Sequence, residues 1–186
     1  MIEAKEDLKE YIKEDQKYLN AYPFKRRLRL WMSKDHLYQI KKYMIFLRKE
    51  EYFFNKKGWG YRIGELIYAR KKNRLGNKLG FYIRPNSLGK GTTIFHHGTI
   101  IIHGDARLGE NCGLHGDNCI GNNGITNYAP QIGNNVDIGF GAKILGNVRI
   151  ANNVKIGAGA IVVSSCDVEG ATLVGIPAHI VKKDSN

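Results

Sequence analysis

Cysteine is scarce in this 186-residue chain: three residues in all, with no CxxC pair among them. An odd number without that spacing excludes a disulfide framework and a cysteine-built zinc site, and points to a reducing compartment. Long apolar runs are absent too, since none approaches the roughly 18 residues of a membrane-spanning helix. The opening segment MIEAKEDLKEYIKED holds charge where a secretory signal holds an apolar core, so a cytoplasmic location is expected. Acidic residues number 17 against 29 lysines and arginines, leaving a formal net charge of +12. Neither GFGAKILG (Gly139 to Gly146) nor LGKGTT (Leu88 to Thr93) ends in the Gly-Lys-Ser/Thr of a phosphate-cradling loop.

What is present is unevenly placed. Residues 1–80 hold 21 of the basic residues, 10 of the acidic ones and 14 of the 19 aromatics. Residues 81–186 are nearly neutral and carry 17 of the 22 glycines. The expected division is therefore a basic, aromatic-rich α-helical region over 1–80 and a second domain over 81–186. In the first, Leu8, Tyr11, Ile12 and Leu19 recur at helix spacing, and Pro23 ends that run. Ser33 reads as the N-cap of a second helix with Leu37, Ile40, Met44 and Leu47 on one face. A third helix is expected from Ile63 to Arg74, using Leu66, Ile67 and Ala69. The basic runs Lys25 to Arg29 and Arg70 to Arg74 come with no recognition motif, which argues against nucleic acid. They read as solvated helix faces, with weak attraction to an anionic membrane surface as the alternative.

The second domain has one dominant pattern. From Ile102 to Val174 an aliphatic residue stands at every sixth position, with Thr126 as the exception. Several are followed by a small residue: Gly109, Gly121, Gly133, Gly139, Ala151 and Gly157. Six is a multiple of the strand period of two, so each marked residue points to the same side of its own short strand. A six-residue repeat of this type specifies a parallel β-helix with tight corners. Leu88, Ile94 and Ile100 keep the period but stand two residues out of phase, so the coil containing His96 carries two extra residues. The stretch NNGITNYAPQ (Asn122 to Gln131) reads as a loop projecting from a corner. Cys112, Cys119 and Cys166 all fall within the repeats, where a buried structural role is expected.

These segments resemble the left-handed β-helix (hexapeptide-repeat) acyltransferases, and within them the serine acetyltransferase-like branch. The resemblance rests on IGFGAKILGNVRI (Ile138 to Ile150), IGAGAIVV (Ile156 to Val163), GIPAHIVKK (Gly175 to Lys183) and IFHHGTIII (Ile94 to Ile102). It implies a left-handed parallel β-helix preceded by an α-helical N-terminal region, assembled as a homotrimer. It also implies acetyl-CoA as donor and no metal. The motif match makes His96 the general base, with His115 as a second catalytic candidate and His103 as a surface or support residue. By position, Gly141, Ala142, Gly159, Ala160, Lys182 and Lys183 would hold the cofactor, and Phe95 and His97 the acceptor.

Three departures bear on the acceptor. The family's acidic residue directly before the catalytic histidine is here Phe95. Its histidine before the proline of the corner loop is here Ala129. The acidic brace from the previous coil has no counterpart in FYIRPN (Phe81 to Asn86). An acceptor with ammonium and carboxylate groups loses partners, whereas Phe95 offers a face to a sugar ring. The reading from sequence is thus an O-acetyltransferase acting on a sugar or surface-polysaccharide precursor. Serine O-acetyl transfer in cysteine biosynthesis is the alternative, and a non-catalytic β-helix scaffold is the rival from another class.

Overall fold

The computed structural model describes residues 1–181. Five helices come first: α1 (Lys5–Asp15), α2 (Lys17–Asn20), α3 (Phe24–Met32), α4 (His36–Phe54) and α5 (Trp59–Leu79). The helix α3 was not anticipated as a separate element. Ser33, expected as an N-cap, instead ends it, and Asp35 caps α4 by accepting from the Leu37 N–H at 2.9 Å. Ile40, Met44 and Leu47 are buried on the expected face of α4. The third helix is longer than expected, and Leu66 and Ile67 lie on its open side, 70% and 46% exposed. It pairs with α4 through other residues, such as Phe53 and Tyr68, whose rings stack at 5.5 Å. It ends at Gly80, whose φ of 81° is the left-handed conformation that glycine supplies at a helix C-terminus. No described helix is long and apolar enough to cross a membrane.

The coil begins directly after Gly80 and has three faces. The first stacks Phe81–Ile83, Ile100–Ile102, Asn118–Gly121, Lys143–Leu145 and Ile161–Val162. The second stacks Arg107–Leu108, Gln131–Ile132 and Arg149–Ile150. The third stacks Thr93–Ile94, Gly113–Leu114, Asp137–Ile138, Lys155–Ile156 and Thr172–Gly175, with Ala178–Ile180 added antiparallel. The hexad residues fill the interior: Ile102, Leu114, Ile120, Ile138 and Ile144 are wholly buried. Removing such a side chain from water is worth about 1.5–3 kcal/mol, so a short strand with one inward residue still holds its place.

Register shows where the period slips. Ile94 pairs with Leu114, confirming the 20-residue coil inferred from the phase change. Leu114 pairs with Ile138, because the loop beyond Gly121 inserts residues and leaves Ile125 87% exposed. The hexad also fails at its far end, where continuation to Val168 and Val174 was expected. Cys166 pairs with Ile150 and Leu173 with Ile156, so those two take the inward places and Val168 is exposed. Cys112 is buried as well, and burial pushes its thiol up to about 11. A thiol that stays protonated at neutral pH is a poor nucleophile.

Helices and coil share one core, and Arg48 joins them. Its guanidinium is fully buried and donates to Asp15 at 2.7 Å and to Glu51 at 2.9 Å. It also donates to the carbonyls of Leu88 and Gly89, at 2.8 and 2.7 Å, in the first turn of the coil. Asp15 closes the arrangement by accepting from the Gly91 N–H at 2.8 Å.

Candidate functional site

The edge where the third face turns into the first carries the chemistry. Successive coils place His96 and His97, then Gly116 and Asp117, then Phe140 and Gly141, then Ala158 and Gly159 along it. Backbone bonds fix this stack: Gly141 N–H donates to Gly116 O at 2.9 Å, and Gly159 N–H to Phe140 O at 2.8 Å. Gly116 turns with φ of 110°, a conformation that favours glycine, beside side chains that would crowd a Cβ. A Cβ there would lie 3.3 Å from the Phe140 ring and 3.5 Å from the His96 Cβ. His96 and His97 are both exposed beside it.

One residue back, the 20-residue coil sets Phe95 against His115, and their rings stack at 4.5 Å. His115 Nε2 lies 2.8 Å from Asp137 Oδ1 on the next coil. A carboxylate only accepts, so Nε2 donates to it, and in the neutral ring Nδ1 is left as an acceptor. Space for Asp137 comes from Gly113, where a Cβ would sit 2.7 Å from Asp137 Oδ1 and 3.2 Å from the Phe95 ring. Tyr18, on α2, meets Phe95 edge-on at 5.1 Å. Phe95 is thus wedged between Tyr18 and His115, and the open platform expected for a sugar ring is taken up by these rings.

The helical region adds a contributor that no motif marked. His36, the first residue of α4, stacks over His96 with centroids 5.8 Å apart and lies 5.3 Å from His97. Its Nδ1 stands 3.4 Å from Asp35 Oδ1. Asp137 was also missed, because the lengthened coil between Leu114 and Ile138 hides which residue faces His115.

Other expected residues are placed elsewhere. His103 sits where the first face turns into the second, 3.7 Å from Asp105 Oδ2 and accepting from the Asp105 N–H at 3.2 Å. The loop at 122–130 leaves from that same edge, so it and His96 occupy different edges of one chain. Gly141 and Gly159 lie on the His96 edge with open space around them: a Cβ at Gly159 would meet nothing within 4 Å. Ala142 and Ala160 have their side chains buried in the core, so a cofactor lying along this edge would meet them through the backbone. Their methyl groups point where the hexad residues point, into the coil. Lys182 and Lys183 lie outside the described residues. Among the described residues no cluster of three His, Cys, Asp or Glu suited to a metal is found.

Comparison with known proteins places the chain in a family. The bacterial transferase hexapeptide (six repeats) family matches residues 129–164. A serine acetyltransferase of Staphylococcus xylosus is 35% identical over 137 residues, covering 68% of this chain and 63% of that protein. The match therefore spans less than two thirds of that relative's length. A crystal structure of Neisseria gonorrhoeae serine acetyltransferase superimposes with a TM-score of 0.71 at 28% identity, over 96% of this chain and 68% of that one. Soybean serine acetyltransferase complexed with serine gives 0.67 at 26% identity, over 77% and 58%. These likenesses carry the left-handed sense of the coil and its helical N-terminal region. Handedness matters because parallel crossovers are otherwise right-handed in nearly all proteins.

Proposed function

The chain belongs to the hexapeptide-repeat acyltransferases, in the serine acetyltransferase branch, and from that premise we propose that it moves an acetyl group from acetyl-CoA to an acceptor hydroxyl. The observation that carries the reading is the edge itself, where the exposed imidazole of His96 stands in line with the glycine corners Gly116, Gly141 and Gly159. His96 takes the hydroxyl proton and returns it to the departing thiol, a task suited to imidazole near neutral pH. His36 lies against the His96 ring and limits its rotation. His115, held by Asp137 and Phe95, presents Nδ1 as an acceptor that orients the incoming substrate. Coenzyme A supplies the acyl thioester, and Gly141 and Gly159 would line its path with backbone rather than side chains. Holding both substrates on one edge lets the hydroxyl attack directly, without a covalent enzyme intermediate.

For the acceptor, the named relatives support serine better than the sugar hydroxyl favoured by the sequence. One observation keeps a second reading in play. Phe95 and Ala129 are apolar where the family holds polar partners for serine, and Asp35 reaches the His96 pair only by way of His36. Thiol release from acetyl-CoA, measured with serine and with free and nucleotide-linked sugars, separates the two. Saturable turnover with serine alone establishes the first reading, and turnover only with sugars the second.

A homotrimer is the assembly we infer, because the outward side of the first face is a ladder of mainly apolar residues. Tyr82, Ile101, Cys119, Lys143 and Ile161 align across its five strands, with Tyr82 and Ile101 59% and 42% exposed. Contiguous apolar surface of this type marks an interface. Sedimentation velocity is expected to give one species of three chains; a monomer at micromolar concentration would rule it out.

A further inference from the structure

Next to the histidine edge, α4 and α5 enclose an open groove of about 710 Å³. Phe46 and Leu75 form its half-buried floor, and Lys42, Lys71, Arg74 and Lys78 stand exposed around it. The ion pairs of the described residues leave these four cations unmatched, whereas neighbouring Lys72 is buried and pinned to Glu50 at 2.8 Å. Four like charges around one cleft repel each other, and salt screens this repulsion fully only beyond a Debye length of about 8 Å. A bound anion relieves it directly. Lysines supply point charges to phosphate, and arginine can grip two of its oxygens at once. The apolar floor asks for something more than an inorganic ion.

Both walls of the groove lead into the site. One wall, α4, begins at His36 over His96, and Lys42 follows six residues later, about 9 Å along the helix axis. The other wall, α5, ends at Leu79, whose carbonyl accepts from the N–H of Gly98 at 2.9 Å, two residues beyond His96. A molecule with its hydroxyl at His96 and a phosphate a few ångströms further on would lie along this line.

We propose that the groove is an acceptor subsite for a phosphate or diphosphate ester carried on an apolar group. This rests on His96 being the base and on the second reading of the acceptor, and it makes that acceptor a phosphorylated amphiphile rather than a small amino acid. Such a ligand places its phosphates among Lys42, Lys71, Arg74 and Lys78 and its apolar part on Phe46 and Leu75. Serine has neither feature and would leave the groove empty.

Calorimetric titration of the whole chain with farnesyl diphosphate, inorganic pyrophosphate and farnesol tests this without any turnover. Farnesyl diphosphate is expected to bind at least about tenfold more tightly than either of the others, a difference of about 1.4 kcal/mol. The double variant Lys42→Ala/Arg74→Ala should lose at least that factor, while the charge-matched control Lys25→Ala/Arg29→Ala on α3 should stay within about twofold. Bound farnesyl diphosphate should also shift the imidazole resonances of His36 and His97 in NMR spectra. Equal binding of pyrophosphate, equal loss in the control, unmoved histidine resonances, or a raised KM for acetyl-CoA in the groove variant would each overturn the proposal. Its failure is distinguishable from failure of the transferase reading. His96→Ala should bind farnesyl diphosphate like wild type, whereas a wild type that binds it yet consumes acetyl-CoA with no hydroxyl-bearing acceptor of the panel defeats the transferase reading alone.

Discussion

His96→Ala is expected to lower kcat for acetyl transfer by two orders of magnitude or more, the usual range for removing a general base. The melting temperature should hardly move, since the His96 ring is exposed and its neighbours on the edge are held by backbone bonds. KM for acetyl-CoA should stay within about twofold, because the glycine corners and not the imidazole line its path. Asp137→Asn should have a smaller effect, roughly tenfold on KM for the acceptor, since it frees His115 to turn without removing the base. The contrast is diagnostic. If His115→Ala or Asp137→Asn costs more in kcat than His96→Ala, the base is His115 and the roles exchange.

Arg48→Ala is expected to remove about 3–5 kcal/mol of stability, the cost of leaving buried charges without their partner. Asp15 and Glu51 would each lose the guanidinium, and the carbonyls of Leu88 and Gly89 would lose their donors. Lysine should not rescue the site, since one ammonium cannot reproduce five fixed donors. A pH effect with a definite sign follows. Burial already pushes the Asp15 carboxyl above its ordinary value, against the pull of Arg48. Without Arg48 it rises further, so the folded chain binds more protons than the unfolded one as pH climbs above 3.8. Stability of the variant should therefore fall as pH rises from about 3.8, measured as the urea midpoint. A midpoint like that of wild type would show that Arg48 is not the joint between helices and coil.

The coil was legible because its rule is local and repeated: one inward aliphatic residue per hexad, and a small residue at the corner. Its failures are instructive. Val168 looked like the next member of the series, but the shortened last turn sets Cys166 inward instead, a two-residue slip that periodicity alone cannot detect. The helix α3 was obscured because it starts at Pro23 without a side-chain cap and leaves Phe24, Trp31 and Met32 exposed. It has no buried face for a pattern to report. At the site, the stacking of Phe95 on His115 could be read from the coil length. His36 could not, since a histidine at a helix start carries no signal until packing brings α4 to the edge. The inward methyl groups of Ala142 and Ala160 were not legible, because small residues serve both corners and interiors, and only the alternation of strand faces decides between them.

The central claim is that the His96 edge joins an acyl thioester to a hydroxyl. Thiol released from acetyl-CoA and O-acetyl ester formed should be followed together in one reaction with an acceptor panel, the ester by mass spectrometry. The account predicts release that requires an acceptor hydroxyl, matches ester formation one to one, and disappears in His96→Ala. Thiol release that continues without any acceptor, or an absence of both coenzyme A binding and turnover across the panel, would contradict it.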